Sequence, residues 1–351
     1  SSVIGAALVN ILRFAGHKVI SDNHIGDWGT QFGMIIYGYR NFVDQAAYES
    51  DSVGELARLY RLVNQLADYH EAVARHPQTL DQIIANEKET ADVEAGDLEG
   101  KARKQALKKL RSQHQSLEDA AASLCEKIEA VSGSPELLAL AEAHADIAKL
   151  ARNETAKLHA GDKENRKLWE DFLPMCLEAL QSVYDILGLE FDYTLGESFY
   201  QPMLANVVSR LRDAGLATDS DGAVCVFIEG NDAPFIVQKT DGAFTYATTD
   251  LATIQHRVEE FGADAMLYVV DTRQSEHFDL LFQTARKAGF DQVEYRHVNF
   301  GTVLDRNKRP YKTRSGDTVG LEGLLTEAVS RAHEIVSAND DAKDPEKGGP
   351  E

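Results

Sequence analysis

Cysteine is scarce in this chain of 351 residues: Cys125, Cys176 and Cys225 are all it has. An odd number, about fifty residues apart, builds neither a disulfide framework nor a zinc site, so reduced thiols in a cytoplasmic protein are expected. Long hydrophobic runs are missing as well. None approaches the ~20 residues that cross a bilayer, and no signal peptide is read at the start. Basic charge is short: 36 Lys and Arg face 57 Asp and Glu, a net charge of −21. That balance excludes general attraction to nucleic acid and leaves only a local basic patch for any RNA contact. Also absent are Gly-x-Gly-x-x-Gly, Gly-x4-Gly-Lys-Ser/Thr, Gly-x-Ser-x-Gly and His-Glu-x-x-His. Their absence argues against dinucleotide enzymes, P-loop NTPases, serine hydrolases and zincins, and no metal site is expected.

What is present is ordinary globular composition, 43% hydrophobic and 26% charged, and a loop of unusual make-up. An apolar helix from Val3 to Arg13 and a strand-like run from His17 to Ser21 lead into Asn23-His24-Ile25-Gly26-Asp27-Trp28-Gly29-Thr30-Gln31-Phe32-Gly33. Glycines and polar side chains at the end of a strand suit a ligand crevice in an α/β sheet. Trp28 and Phe32 read as packing residues.

Residues 1–42 read as helix, strand, loop and helix. From 43 to 190 the sequence is almost purely helical. Leu107, Leu110, His114, Leu117, Ala121, Leu124, Ile128 and Val131 form one seam; Leu137, Leu140, His144, Ile147, Ala151 and Leu158 form another. The Gly133-Ser134-Pro135 turn between them predicts an antiparallel, coiled-coil-like hairpin. Strands are expected at 223–228, 235–239, 244–248, 265–270 and 293–303, with helices at 251–261, 274–289 and 321–337. The architecture that follows is α/β: a Rossmann-like parallel sheet from 1–42 and 191–338, a long α-helical insertion at 43–190, and an acidic tail at 339–351. The opening at Ser1, already inside a helical pattern, and the close at Gly348-Gly349-Pro350-Glu351 lead us to expect a piece of a longer protein.

Several junctions carry chemistry. Tyr246-Ala-Thr-Thr-Asp250 ends a predicted strand and opens a helix; Asp250 suits an N-cap, or a carboxylate paired with a phenol in the crevice. Gln274 and His277 share one face of a first helical turn, where free N–H groups favour anions, although His277 equally suits a cap or packing role. Glu197 sits between Gly196 and Ser198 in a turn. Lys308 to Gly316 is a loop with several cations, suited to a polyphosphate or to plain solvation.

Taken in order, GDWGTQFG (26–33), GES (196–198), VQKTDGAFTYATTDLA (237–252), YVVDTRQSEHF (268–278), HVNFGTVL (297–304) and KTRSGDTVGLEGLL (312–325) resemble arginyl-tRNA synthetases over roughly 1–42 and 190–335. The resemblance implies a class I synthetase catalytic domain. Such an enzyme uses ATP with Mg²⁺ to convert L-arginine to arginyl-adenylate and passes it to tRNA(Arg), with no tightly bound cofactor. It implies an arginine pocket of Glu197, Tyr246, Asp250 and Gln274, and ATP contacts from His277, Val303, Thr313 and Ser315. Lys312 and Arg314 would be catalytic, in the loop that closes over the phosphates. A monomer with no membrane partner is expected. The family's His-x-Gly-His signature is absent, and Thr313 stands where the usual second loop lysine would be. The stretch alone is therefore expected to be inactive, and a non-catalytic arginine- or nucleotide-binding module is the alternative.

Overall fold

The computed structural model describes residues 1–96, 99–231, 233–301, 325 and 328–337. It divides into two compact units, one formed by Ser1–Trp28 with Leu177–Glu351 and the other by Gly29–Cys176.

The first unit opens with α1 (Ser2–Phe14). The expected strand at His17–Ser21 does not form. Among the described residues the pairing begins just after it, through isolated bridges of Asp22 with Tyr193 and Ile25 with Gly196. Tyr193 N–H donates to Ser21 O (3.0 Å) and Glu197 N–H to Ile25 O (3.0 Å), enough to fix the course of the loop without making a ladder.

The second unit is wholly helical: α2 (Thr30–Phe42), α3 (Gln45–Ser50), α4 (Ser52–Ala95), α5 (Gly100–Ser132), α6 (Pro135–Ala143), α7 (Ile147–His159) and the start of α8 (Lys163–Leu187). A long antiparallel hairpin is present, but α5 pairs with α4 rather than with the helix after Gly133. Lys127 meets Asp68 (3.0 Å) and Gln65 donates to the Ala130 carbonyl (3.3 Å) across it. The partner seam is hard to read because its distal half is polar. Leu56, Leu59, Val63 and Leu66 are followed in the seam by Ala72, Thr79 and Asn86, while Leu80 and Ile84 face solvent. The Gly133-Ser134-Pro135 turn is real, with Ser134 capping α6, but α6 ends at Ala143, too short to line α5. His144 leaves the supposed second seam and bonds Tyr37 Oη through Nδ1 (2.7 Å).

Gly33 lets α2 lie directly on α7. A Cβ there would overlap Thr155 Oγ1 and the Ala151 carbonyl. Gly33→Ala is therefore expected to destabilise the protein by about 1–3 kcal/mol, read as a lower denaturant midpoint. Phe32 is buried in this unit against the edge of Trp169 (centroids 6.5 Å), and Trp28 is buried in the first unit, as their packing role required.

The first unit resumes with the rest of α8, then α9 (Glu197–Tyr200), α10 (Leu204–Asp213), β1 (Ala217–Ser220), β2 (Ala223–Val226), β3 (Phe235–Gln238), α11 (Tyr246–Glu259), β4 (Ala265–Asp271), α12 (Ser275–Ala285) and β5 (Glu294–Phe300). Among the described residues the strands fall into two small sheets rather than one. β4 and β5 pair in parallel through the α12 crossover, which is the Rossmann-like element; β1, β2 and β3 form an antiparallel sheet. β1 was not anticipated because its Ala-Thr-Asp-Ser sequence buries only Ala217. One core, including Tyr200, Val226, Val237, Ile254, Leu281 and Tyr295, underlies both sheets.

The expected strand at 244–248 is instead the start of α11. The Asp241-Gly242 turn, with Gly242 at φ +83°, uses up the hairpin, so only Phe244 bridges back to Gln238. The Thr245 hydroxyl then donates to the Ile236 carbonyl (2.6 Å) and that of Thr248 to the Val237 carbonyl, which turns the chain onto β3 as a helix. Of the helix expected at 321–337, residues 325 and 328–337 are described and helical. Among the described residues no helix is long and apolar enough to cross a membrane.

Candidate active site

The site is assembled in the first unit from four short stretches: the 22–27 loop, the start of α9, one face of α11 and the first turn of α12. Asp22, Asn23 and Ile25 are held beside 193–197 by the backbone bonds described above, and this places Asp27 under the α9 turn. Asp27 is buried, and its carboxylate accepts from Ser198 N–H (2.8 Å) and Ser198 Oγ–H (2.6 Å). Gly196 permits this approach, since a Cβ there would collide with the Asp27 carboxylate.

α11 starts after Thr245, not after Asp250. Asp250 is therefore one turn inside the helix and is not its N-cap, so its carboxylate is free for other work. Its Oδ2 lies 2.6 Å from His277 Nε2, which α12 supplies. Two turns further on, on the same side of α11, Arg257 is nearly enclosed. It donates to Asp22 (2.7 Å) and lies over the Tyr268 ring at 5.3 Å. Burial works against the Arg257 charge, but Tyr268 and Asp22 more than offset it and hold the guanidinium protonated.

Glu197 faces this group of charges. Burial, then the like charges of Asp27 and Asp250, push its carboxyl up to about 7. His24 sits at the rim, its ring 5.6 Å from that of Tyr200. It is open to solvent, yet protein crowded around the ring lowers its pKa, with Asp250 opposing that effect and Arg257 adding to it. A side chain that is accessible to water and still surrounded by protein is what the wall of an open cleft presents. Asp22 is matched by Arg257 and Asp250 by His277. Glu197 is left as the carboxyl whose ionisation the surroundings resist, and a cation entering the cleft would relieve that.

The structure thus brings Glu197, Asp250 and His277 together. Tyr246 lies on the Asp250 face of α11 one turn earlier and is 67% exposed. Gln274 is exposed just ahead of α12. Val303, Lys312, Thr313, Arg314 and Ser315 lie outside the described residues. Sequence reasoning assigned no role to Asp27, Ser198, Asp22 or Arg257. The signal for Arg257 was its spacing of two helical turns from Asp250; for Asp27 it was the ligand-type loop itself. A surface hollow of about 320 Å³ adjoins the 22–27 loop at Asn23, between it and Tyr184 of α8.

A family model described as the catalytic domain of class I tRNA synthetases (R) matches residues 1–134 and 134–347. An arginine–tRNA ligase of Rhodopirellula baltica is 50% identical over 364 residues, which take in 100% of this chain and 54% of that protein. One from a Nostoc species is 34% identical over 357 residues, covering 99% of this chain and 48% of the relative. The chain thus spans about half the length of the curated relatives it matches. In fold it is similar to the arginyl-tRNA synthetase of Plasmodium falciparum, with a TM-score of 0.60 at 22% identity, covering 98% of this chain and 44% of that one.

Proposed function

The chain belongs to the catalytic-domain family of class I arginine-type tRNA synthetases, and we propose that the whole protein joins L-arginine to tRNA(Arg) through an arginyl-adenylate formed from ATP. In this reading 1–42 and 191–338 carry the chemistry, with 43–190 as a helical insertion. The observation that carries it is the convergence of Glu197, Asp27 and Asp250 on one cleft, with Glu197 shifted to about 7. A guanidinium suits such a cleft. With Oδ2 of Asp250 engaged by His277, Oδ1 remains for one prong of the fork, and Glu197 ionises to meet the other. Lysine, a point charge with a single nitrogen, leaves one of the two acids unsatisfied. Tyr246 and Gln274 would close over the amino acid from the helix ends, and His277 would reach the adenosine.

The reaction needs no protein nucleophile. The arginine carboxylate oxygen attacks the α-phosphorus of ATP, a new O–P bond forms, and pyrophosphate leaves. The residues near the site orient the amino acid and exclude water, which is where the rate gain arises. Mg²⁺ in this reading arrives with the triphosphate, whose oxygens supply its ligands. Val303, Thr313 and Ser315 would contact ATP, and Lys312 and Arg314 would meet the charge that grows on the leaving group.

The test is exchange of labelled pyrophosphate into ATP by the whole protein, with tRNA(Arg) present. Exchange is expected with arginine and not with lysine. Neither exchange nor charging of tRNA(Arg) in the presence of arginine would overturn the reading.

A further inference from the structure

Asp27 makes none of the substrate contacts proposed above, yet its carboxylate is buried. A buried carboxylate is costly unless its hydrogen bonds have a purpose. Both oxygens reach Ser198: Oδ1 receives Ser198 N–H (2.8 Å) and Oδ2 receives Ser198 Oγ–H (2.6 Å). Ser198 immediately follows Glu197, and Glu197 N–H is itself tied to the Ile25 carbonyl (3.0 Å), two residues before Asp27. The peptide on each side of Glu197 is therefore clamped to the 25–27 loop. Gly196, which has no room for a Cβ because the Asp27 carboxylate is in the way, completes the clamp.

Resting on the arginine reading of this site, we propose that Asp27 is a positioning residue for Glu197: it pins the turn from which Glu197 enters the cleft and supplies the like charge against which Glu197 ionises. The two effects act together. The clamp fixes where the Glu197 carboxyl sits, and the Asp27 charge adds to burial in opposing its ionisation until a cation compensates. Among the described residues, the charged and titratable groups around Glu197 are Asp22, His24 and Asp27 from the loop, Tyr200 on α9 itself, and Asp250, His256 and Arg257 from α11. Of these, Asp27 and Asp250 are the ones that oppose its ionisation, after burial. Asp250 is expected to face the incoming guanidinium, whereas Asp27 is expected to act through Glu197.

Asp27→Asn separates the charge from the clamp, because the amide oxygen still accepts Ser198 N–H. Ser198→Ala does the reverse, keeping the charge and losing one of the two bonds. Arginine affinity of the whole protein, measured by calorimetry from pH 5.5 to 8.5, is expected to rise with pH around a midpoint near that of Glu197. Asp27→Asn should move this midpoint down by roughly one pH unit. Ser198→Ala should weaken binding several-fold at every pH and leave the midpoint in place. A second readout uses no ligand: the change in unfolding midpoint caused by Glu197→Gln, compared at pH 5.5 and pH 8, with and without Asp27→Asn. The pH-dependent part of that change should shrink in the Asp27→Asn background. An undiminished pH dependence there, or an unmoved affinity midpoint, overturns the proposal. A protein that fails to bind arginine but shows the shrinkage overturns the arginine reading and leaves the Asp27–Glu197 linkage standing.

Discussion

Asp250→Ala in the whole protein is expected to lower kcat/KM for arginine activation by roughly 10²- to 10³-fold or somewhat more. Removing one partner of a desolvated charge pair costs about 3–5 kcal/mol. The fold should tolerate the change. Asp250 is not the cap of α11, whose first residues are held instead by the Thr245 and Thr248 hydroxyls on the β3 carbonyls. Its bond to His277 joins two helices already packed around Leu251, Ile254 and Leu281, all in the same core. The denaturant midpoint should therefore shift far less than activity does. A variant that activates arginine at the wild-type rate would remove Asp250 from the guanidinium site. One that simply unfolds would make it a structural residue.

Glu197→Gln is expected to change stability and activity in opposite directions. The folded-state pKa of Glu197, about 7, lies above its ordinary value of 4.5. The native state therefore binds this proton more tightly than the unfolded chain does. The resulting stability is fully present below pH 4.5, declines as pH rises from 4.5 to 7, and is gone above 7. Glutamine mimics the protonated acid at every pH. The variant should match the wild type at pH 4 and exceed it by about 2–3 kcal/mol at pH 8, from the ~1.36 kcal/mol per pKa unit discounted for partial solvent access. Arginine binding should fall at pH 8, where the wild-type carboxylate is ionised, and the two proteins should converge toward pH 5.5. Equal thermal midpoints for variant and wild type at pH 8 would show that Glu197 is not held against ionisation. This is the exchange of stability for function expected when a site keeps a charge where water cannot fully solvate it.

The parts of the fold legible in the sequence were those with strong local signals. α1 and α2, the helical stretch after residue 43, β2, β3 and the parallel pair β4–β5 follow from apolar periodicity and from β-branched or aromatic runs. The elements missed depended on partners distant in sequence. The α4 seam was hidden because Thr79 and Asn86 occupy positions where a hydrophobic seam would place Leu. Phe244 to Thr248 has strand composition, but the tight turn before it and two threonine hydroxyls make it a helix start. His17–Ser21 has strand composition too, but among the described residues only isolated bridges form, at Asp22 and Ile25 just beyond it.

The candidate site divides in the same way. Glu197, Asp250 and His277 could be named because each sits at a junction between elements, within motifs that resemble a family. Arg257 and Asp27 could not. Arg257 lies in the last turn of α11, where a cation is favoured on local grounds alone, and nothing in the sequence indicates that its partner is Asp22. Ser198 reads as an ordinary turn residue until the 22–27 loop is placed beside it.

The Asp22–Arg257 and Asp27–Ser198 pairs join positions separated by the whole of residues 29–176. Synthesis proceeds at roughly 5–20 residues per second, so residues 22–27 leave the ribosome on the order of ten seconds before their partners. Through that interval Asp22 and Asp27 await Arg257 and Ser198, while the stretch 29–176, a compact unit in the finished structure, is completed. The candidate cleft therefore forms only after the whole of 29–176 has been synthesised. Variants that slow the helical unit should accumulate chains in which the loop is still exposed to proteases, even when the finished protein is fully stable.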